Sequence, residues 1–517
     1  MTDVFAAMLD LGDKLAAHVL LAASAIALGI LVALPLAVWA SRNQAVARIA
    51  LGFASLVQTV PALALLALFF PILLSLRAVF GEGLPTLGFL PALLALALYA
   101  LLPILRNAVT AREHMEPGVL EAADGVGMTP AQKLRLVEAP LAAPYVMAGI
   151  RTAAVWTIGA ATLSTTIGQP SLGDPIFAGL QTQNWTLVLA GCFASAGLAL
   201  VADWLLGMVE RGFARGKRVL IWAGTSVALV GIAASLWTLY GPTPGSDDRG
   251  QTIAIGAKGF SEQYILARLI GQRLEAQGFE VEYRDGLGSA VAHSAVANGS
   301  IEVLVDYTGT IWANEMKRTD NPDRDMMLAE IAAWERDTSG TQVLGRLGFE
   351  NAYGLAVRQD LARARNLSSI GDLRALAASL TIGGDPEFFE RPEWIAVREA
   401  YDLQFRATRN FSPTFMYNAL VSGDADVIGA YTSDGRIAAD NLVILGDPRG
   451  AFPNYDAIVL LSSQAATNAE VQAALEPLIG AIDVDAMRAA NLSVDRTDAE
   501  KLTPDVAAQQ LARDIGL

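Results

Sequence analysis

A chain of 517 residues has room for several domains, and with 53% hydrophobic residues and a mean hydropathy of +0.39 it is too apolar for an ordinary water-soluble protein. The apolar excess is confined to the first half: residues 1–245 hold 13 basic and 12 acidic side chains, whereas the remainder holds 24 and 40, a net charge of −16. An acidic, solvated second half argues against nucleic acid as a partner, and a single cysteine, Cys192, excludes an intrachain disulfide.

In chain order, the opening residues carry Asp3, Asp10 and Asp13 without a basic n-region or a cleavage site, so no signal-peptide cleavage is expected. Six apolar stretches follow at 19–40, 49–76, 84–105, 144–167, 185–209 and 219–240, each long enough to cross a hydrocarbon core of ~30 Å. Pro61 and Pro71 interrupt the second and predict a kink or a short re-entrant end. Basic residues fall in alternate loops: Arg42 and Arg48 after the first stretch, Arg106, Arg112, Lys133 and Arg135 after the third, Arg211, Arg215, Lys217 and Arg218 after the fifth. By the positive-inside rule these loops are cytoplasmic, which puts the N-terminus and everything after residue 240 outside the cytoplasm. Arg151 and Asp203 lie within spans, where an ionisable group is costly and is expected to face the bundle interior or a water-lined path.

The longest cytoplasmic loop, near 113–140, contains Glu121-Ala-Ala-Asp-Gly-Val-Gly127 and ends at Pro140. Ala122 and Ala123 permit close helix approach, Gly127 permits a tight turn, and Pro140 is expected to end the segment before the fourth span. These features predict a short peg projecting from the membrane, the alternative being an ordinary solvated loop. Glu121-Ala122-Ala123 with Gly127 four residues on resembles the EAA loop by which permeases of ABC importers dock on their ATPase. Gln58-Thr-Val-Pro61, Ala148-Gly-Ile-Arg151 and Thr165-Thr-Ile-Gly168-Gln-Pro-Ser-Leu-Gly173 are similar to the quaternary-amine branch of that family, and the resemblance covers residues 19–215. It departs at Ala139, where many relatives carry leucine. The resemblance implies ATPase-coupling roles for Glu121, Ala122, Ala123 and Gly127. No Gly-rich phosphate loop ending in Gly-Lys-Ser or Gly-Lys-Thr occurs, so a separate ATPase, in two copies, and a second copy of this chain are expected partners.

The expected domains are therefore a permease over 1–218 with a sixth helix at 219–240, a turn-rich linker at 241–250 and an extracytoplasmic domain at 251–517. From Thr252 the pattern alternates: strand 252–256, helix 261–277 with Ser261 as N-cap, strand 279–283, helix 290–297, strand 301–305, and further strands at 354–357, 380–383, 426–429 and 457–461. This predicts an α/β fold with largely parallel sheets, in two lobes, the second spanning roughly 355–455. In open α/β sheets ligands gather at the carboxyl ends of strands. The residues found there or near the predicted crossovers are Lys258, Tyr307, Thr310, Tyr353, Arg391, Tyr431 and Tyr455. Aromatic faces suit a quaternary ammonium, and a Lys, an Arg and a hydroxyl suit a carboxylate. Taken singly, a tyrosine at a strand end is more often half-buried packing than a ligand contact.

Gly256-Ala-Lys258-Gly-Phe-Ser-Glu-Gln263, Asp306-Tyr-Thr-Gly-Thr310, Asn351-Ala-Tyr353, Glu387-Phe-Phe-Glu-Arg391, Tyr431-Thr-Ser-Asp-Gly-Arg436 and Phe452-Pro-Asn-Tyr455 resemble the glycine betaine/choline-type binding proteins over 252–517. The sequence departs at Ala352, where relatives often carry threonine. The resemblance implies an aromatic cage of Tyr307, Tyr353, Tyr431 and Tyr455, with Lys258, Thr310 and Arg391 on the ligand carboxylate. The reading is a multi-pass inner-membrane importer of glycine betaine or a related compatible solute. Import of another methylated amine (choline, carnitine, an amino-acid betaine) and a membrane-anchored solute sensor without transport are the alternatives. His18, His114, His293 and Cys192 are scattered without triad or metal spacing, so no catalytic residue, metal or cofactor is expected.

Overall fold

The computed structural model describes residues 2–81, 84–181, 184–240, 251–318, 320–386, 388–496 and 498–517; the expected linker at 241–250 and Glu387 of the sequence motif lie outside them. The chain divides into two compact units, the first built from 1–177 and 186–246, the second from 178–185 and 247–517.

Among the described residues six helices are long and apolar enough to cross a membrane: Gly12–Ala40, Ala62–Phe80, Phe89–Arg112, Pro130–Ile167, Trp185–Arg215 and Arg218–Tyr240. The second departs from expectation. The apolar stretch 49–76 is shared between two helices, Gln44–Thr59 and Ala62–Phe80. Pro61 has no N–H to continue the ladder and drives Val60 to extended backbone (φ −74°, ψ 126°), so the first helix stops there. Small residues let the spans approach closely: Ala33, Ala100 and Ala153, from the first, third and fourth, are fully buried in one cluster. The ionisable residues flagged within the spans neutralise one another. Arg151 Nε and Nη2 donate to the two carboxylate oxygens of Asp203 at 2.5 and 2.8 Å, and its Nη1 donates to Glu210 at 3.3 Å, tying the fourth span to the fifth. The segment 165–173 is pinned by the buried His18, which contacts the Ile158 carbonyl at 3.0 Å and accepts the Leu172 N–H at 3.2 Å.

The segment expected to be cytoplasmic forms two short helices in succession. Pro117–Gly125 carries Glu121, Ala122 and the buried Ala123. Gly127 turns the chain at φ +78°, a left-handed conformation that a β-branched residue resists. Thr129 and Gln132 then cap Pro130–Lys133 reciprocally, and Lys133 Nζ reaches Asp124 at 2.6 Å to close the peg. Pro140 does not end the segment, contrary to expectation. The helix winds on from Pro130 into the fourth span through a π turn, Leu134–Glu138, whose wider hydrogen-bonding ring accommodates the proline that follows. Arg112 at the end of the third span holds Glu138 of that turn at 2.9 Å.

Among the described residues the second unit contains ten strands: β1 (Thr252–Lys258), β2 (Glu280–Leu287), β3 (Val303–Tyr307), β4 (Gln342–Glu350), β5 (Tyr353–Arg358), β6 (Thr381–Gly384), β7 (Ala407–Asn410), β8 (Val427–Tyr431), β9 (Leu442–Ile444) and β10 (Asp456–Leu461). They make two sheets, β2-β1-β3-β10-β4 and β7-β6-β8-β5-β9. The largely parallel sheets expected from the alternation are mixed instead. β1, β2 and β3 run parallel, as do β6, β7 and β8, but β10 and β5 lie antiparallel to both their neighbours. The cause is the crossover: β4 leads directly into β5, and β10 carries the chain back to the first sheet, so these strands enter without a helical return. Ile253, Ile255, Val303, Val459 and Leu461 fill the first core and Leu355, Val357, Ile382 and Val427 the second, each side chain contributing about 1.5–3 kcal/mol by burial. Ser261 is not the N-cap of its helix, Ser261–Glu275: Phe260 occupies that position, and the serine hydroxyl donates to Asp495 at 2.5 Å.

Candidate solute-binding site

The strand ends converge. Lys258 closes β1, Tyr307 closes β3, Tyr431 closes β8, Tyr353 opens β5 and Tyr455 precedes β10. With Thr310 and Arg391 they line one cavity of about 300 Å³, so the seven residues singled out from the sequence are brought together. Phe260, Asn351 and Asp385 line it as well and were not singled out.

The rings form one connected wall. Tyr353 lies 5.1 Å from Tyr431 and 5.8 Å edge-on from Tyr455, and Phe260 stacks on Tyr431 at 6.1 Å and on Tyr307 at 6.3 Å. Gly309 is required by this packing, because a Cβ there would meet the Tyr455 ring at 2.6 Å. Each hydroxyl is anchored on a buried carboxylate. Tyr307 donates to Glu262 at 2.6 Å, Tyr431 to Asp385 at 2.9 Å, and Tyr455 to Glu393. Burial pushes the hydroxyls of Tyr307, Tyr431 and Tyr455 well above the usual phenol range, so the rings are neutral π surfaces. Glu262 also accepts from Asn351 at 3.0 Å and Asn491 at 2.9 Å, joining the first sheet's helix to the crossover and to the C-terminal helices; desolvation raises its carboxyl.

The two cations stand differently. Lys258 Nζ donates to the buried Asp306 at 2.5 Å and sits 5.4 Å from the Tyr307 ring centre, so its charge is already balanced within the wall. Arg391 is 7% exposed and lies 5.4 Å over the Tyr353 ring, with Glu393 3.8 Å away. Such a wall holds a methylated cation by π faces, since that group has no N–H to donate, while a guanidinium fits a carboxylate.

A two-lobed binding domain whose cavity is walled by aromatic rings, in one chain with a unit of six helices long and apolar enough to cross a membrane, defines the class: a membrane permease fused to its own solute-binding domain. The family model described as the substrate binding domain of ABC-type glycine betaine transport systems matches residues 251–513, and that of the binding-protein-dependent transport system inner membrane component matches 25–215. The chain therefore belongs to the ABC importers of the glycine betaine/choline/carnitine type, as a fused permease and substrate-binding protein of the inner membrane. It is 29% identical over 476 residues, 89% of this chain and 82% of the relative, to the ergothioneine transport permease/ergothioneine binding protein EgtU of Helicobacter pylori. Its permease part is 42% identical over 194 residues, 38% of this chain and 84% of the relative, to the choline transport system permease protein OpuBB of Bacillus subtilis. The binding part is 30% identical over 265 residues, 50% of this chain and 85% of the relative, to the carnitine transport binding protein OpuCC of Listeria monocytogenes. An importer of this kind works with an ATPase and carries a small solute.

Proposed function

We propose that the chain imports glycine betaine or a closely related quaternary-amine solute, with Tyr307, Tyr353, Tyr431 and Tyr455 holding the ammonium and Arg391, Thr310 and Lys258 facing the carboxylate. The observation that carries this reading is the convergence of all seven side chains on one cavity. Two copies of the chain and two copies of a separate ATPase form the working transporter, the binding domain lies outside the cytoplasm, and closure of its lobes on solute presents it to the permease. Glu121, Ala122, Ala123 and Gly127 form the peg that meets the ATPase. A second reading, import of ergothioneine or another amino-acid betaine, is favoured by the relative that shares the fused arrangement across most of this chain.

Coupling is tested at Gly127. Its left-handed backbone lies in open space, so aspartate would be tolerated there and valine is the stringent replacement. Gly127→Val is expected to abolish ATP-driven uptake of labelled glycine betaine into proteoliposomes while leaving solute affinity unchanged. Normal uptake by this variant would remove the peg from the mechanism.

A further inference from the structure

A carboxylate is set into the cavity wall behind two of the rings that a methylated cation would contact. Asp385 follows β6, is 4% exposed, and lines the same cavity as the four tyrosines. Its Oδ1 accepts the Phe388 N–H at 3.0 Å, and its Oδ2 accepts the Tyr431 hydroxyl at 2.9 Å and the Tyr353 hydroxyl at 3.4 Å. Two cage rings are thus aimed at one anion, and donation from each phenol to a carboxylate makes its π face more negative. A positive charge held against Tyr353 and Tyr431 lies within a few ångströms of Asp385, and because Asp385 is itself buried their Coulomb attraction is less screened than at the surface.

We infer that Asp385 determines specificity by serving as the counter-charge for the substrate's ammonium, so that the site takes carboxylate-free quaternary ammonium ions such as choline as well as betaines. This rests on the cage reading above. It separates the two ends of a zwitterion: Asp385 and the π faces select the cation, and Arg391 adds affinity only for ligands that also carry an anion. The basic groups facing the same cavity have carboxylates of their own: Lys258 is held by Asp306 at 2.5 Å, and Arg391, 5.4 Å from the centre of the Tyr353 ring, has Glu393 3.8 Å away.

The test is titration calorimetry of the full-length chain in lipid nanodiscs with choline and with its uncharged carbon isostere, in which carbon replaces the quaternary nitrogen. Asp385→Asn keeps the shape and one of the two acceptor oxygens and removes the charge, and the uncharged isostere reports any cost of the lost acceptor. It is expected to weaken choline by about tenfold or more and to leave the isostere nearly unchanged. Tyr431→Phe, which removes one hydroxyl and keeps the anion, is expected to preserve most of the preference for choline over the isostere. Equal losses for both ligands in Asp385→Asn would make Asp385 a positioning residue for the rings and overturn the inference, as would no loss for either. Wild-type chain that binds glycine betaine but not choline overturns the inference alone, whereas wild-type chain that binds no quaternary amine overturns the cage reading with it.

Discussion

Lys258→Met is expected to destabilise the C-terminal unit by about 3–5 kcal/mol, because it leaves Asp306 as a buried carboxylate without its cation. The pair is dry, with side chains 4% and 0% exposed, and its 2.5 Å contact is the charge-assisted kind. Screening by solvent, which reduces most surface pairs to almost nothing, does not operate here. The double variant Lys258→Met with Asp306→Leu is expected to recover much of the loss, since replacing both members of a buried pair by apolar groups of similar volume is often neutral. Denaturant unfolding followed by tryptophan fluorescence measures both. A loss within about 1 kcal/mol for the single variant would mean that the pair is hydrated in solution.

Arg391→Ala is expected to weaken glycine betaine by about 2–5 kcal/mol, partly because the ligand's carboxylate is then desolvated without a donor. Choline, with no carboxylate, is expected to lose only about 0.5–1 kcal/mol, the scale of the contact between this guanidinium and the Tyr353 ring that the substitution also removes. The difference between the two ligands is the informative quantity. An equal penalty for both would assign Arg391 to supporting the ring alone.

Hydropathy and alternation made the spans and most of the strands legible, because each is a local pattern of burial. What escaped depended on partners distant in the chain. β7 is exposed along its whole length and short, so it carries no alternation to read, and β4 is interrupted by Gly345 and Gly348. Pairing direction could not be inferred from alternation, since it is set by where the chain crosses between sheets rather than by any residue within a strand. The helix runs on through Pro140 because a π turn takes up what a proline removes from an α-helix. In the cavity, tyrosines and cations at strand ends announced themselves by position and motif. Asp385 stands two residues after the strand expected at 380–383, but an acidic side chain at a strand end is ordinarily solvated, and only the tyrosine hydroxyls that the fold brings to it mark it as part of the wall. Glu262 gave less signal: its partners Tyr307, Asn351 and Asn491 are 45, 89 and 229 residues away.

The central claim is that the aromatic wall binds a quaternary ammonium. Its most direct test is calorimetric titration of the full-length chain, wild type and Tyr431→Ala, with glycine betaine, choline, carnitine and ergothioneine. Saturable binding of at least one of these by the wild type, weakened by about 1–3 kcal/mol in Tyr431→Ala, is the predicted result; binding of none, or binding indifferent to loss of the Tyr431 ring, would contradict it.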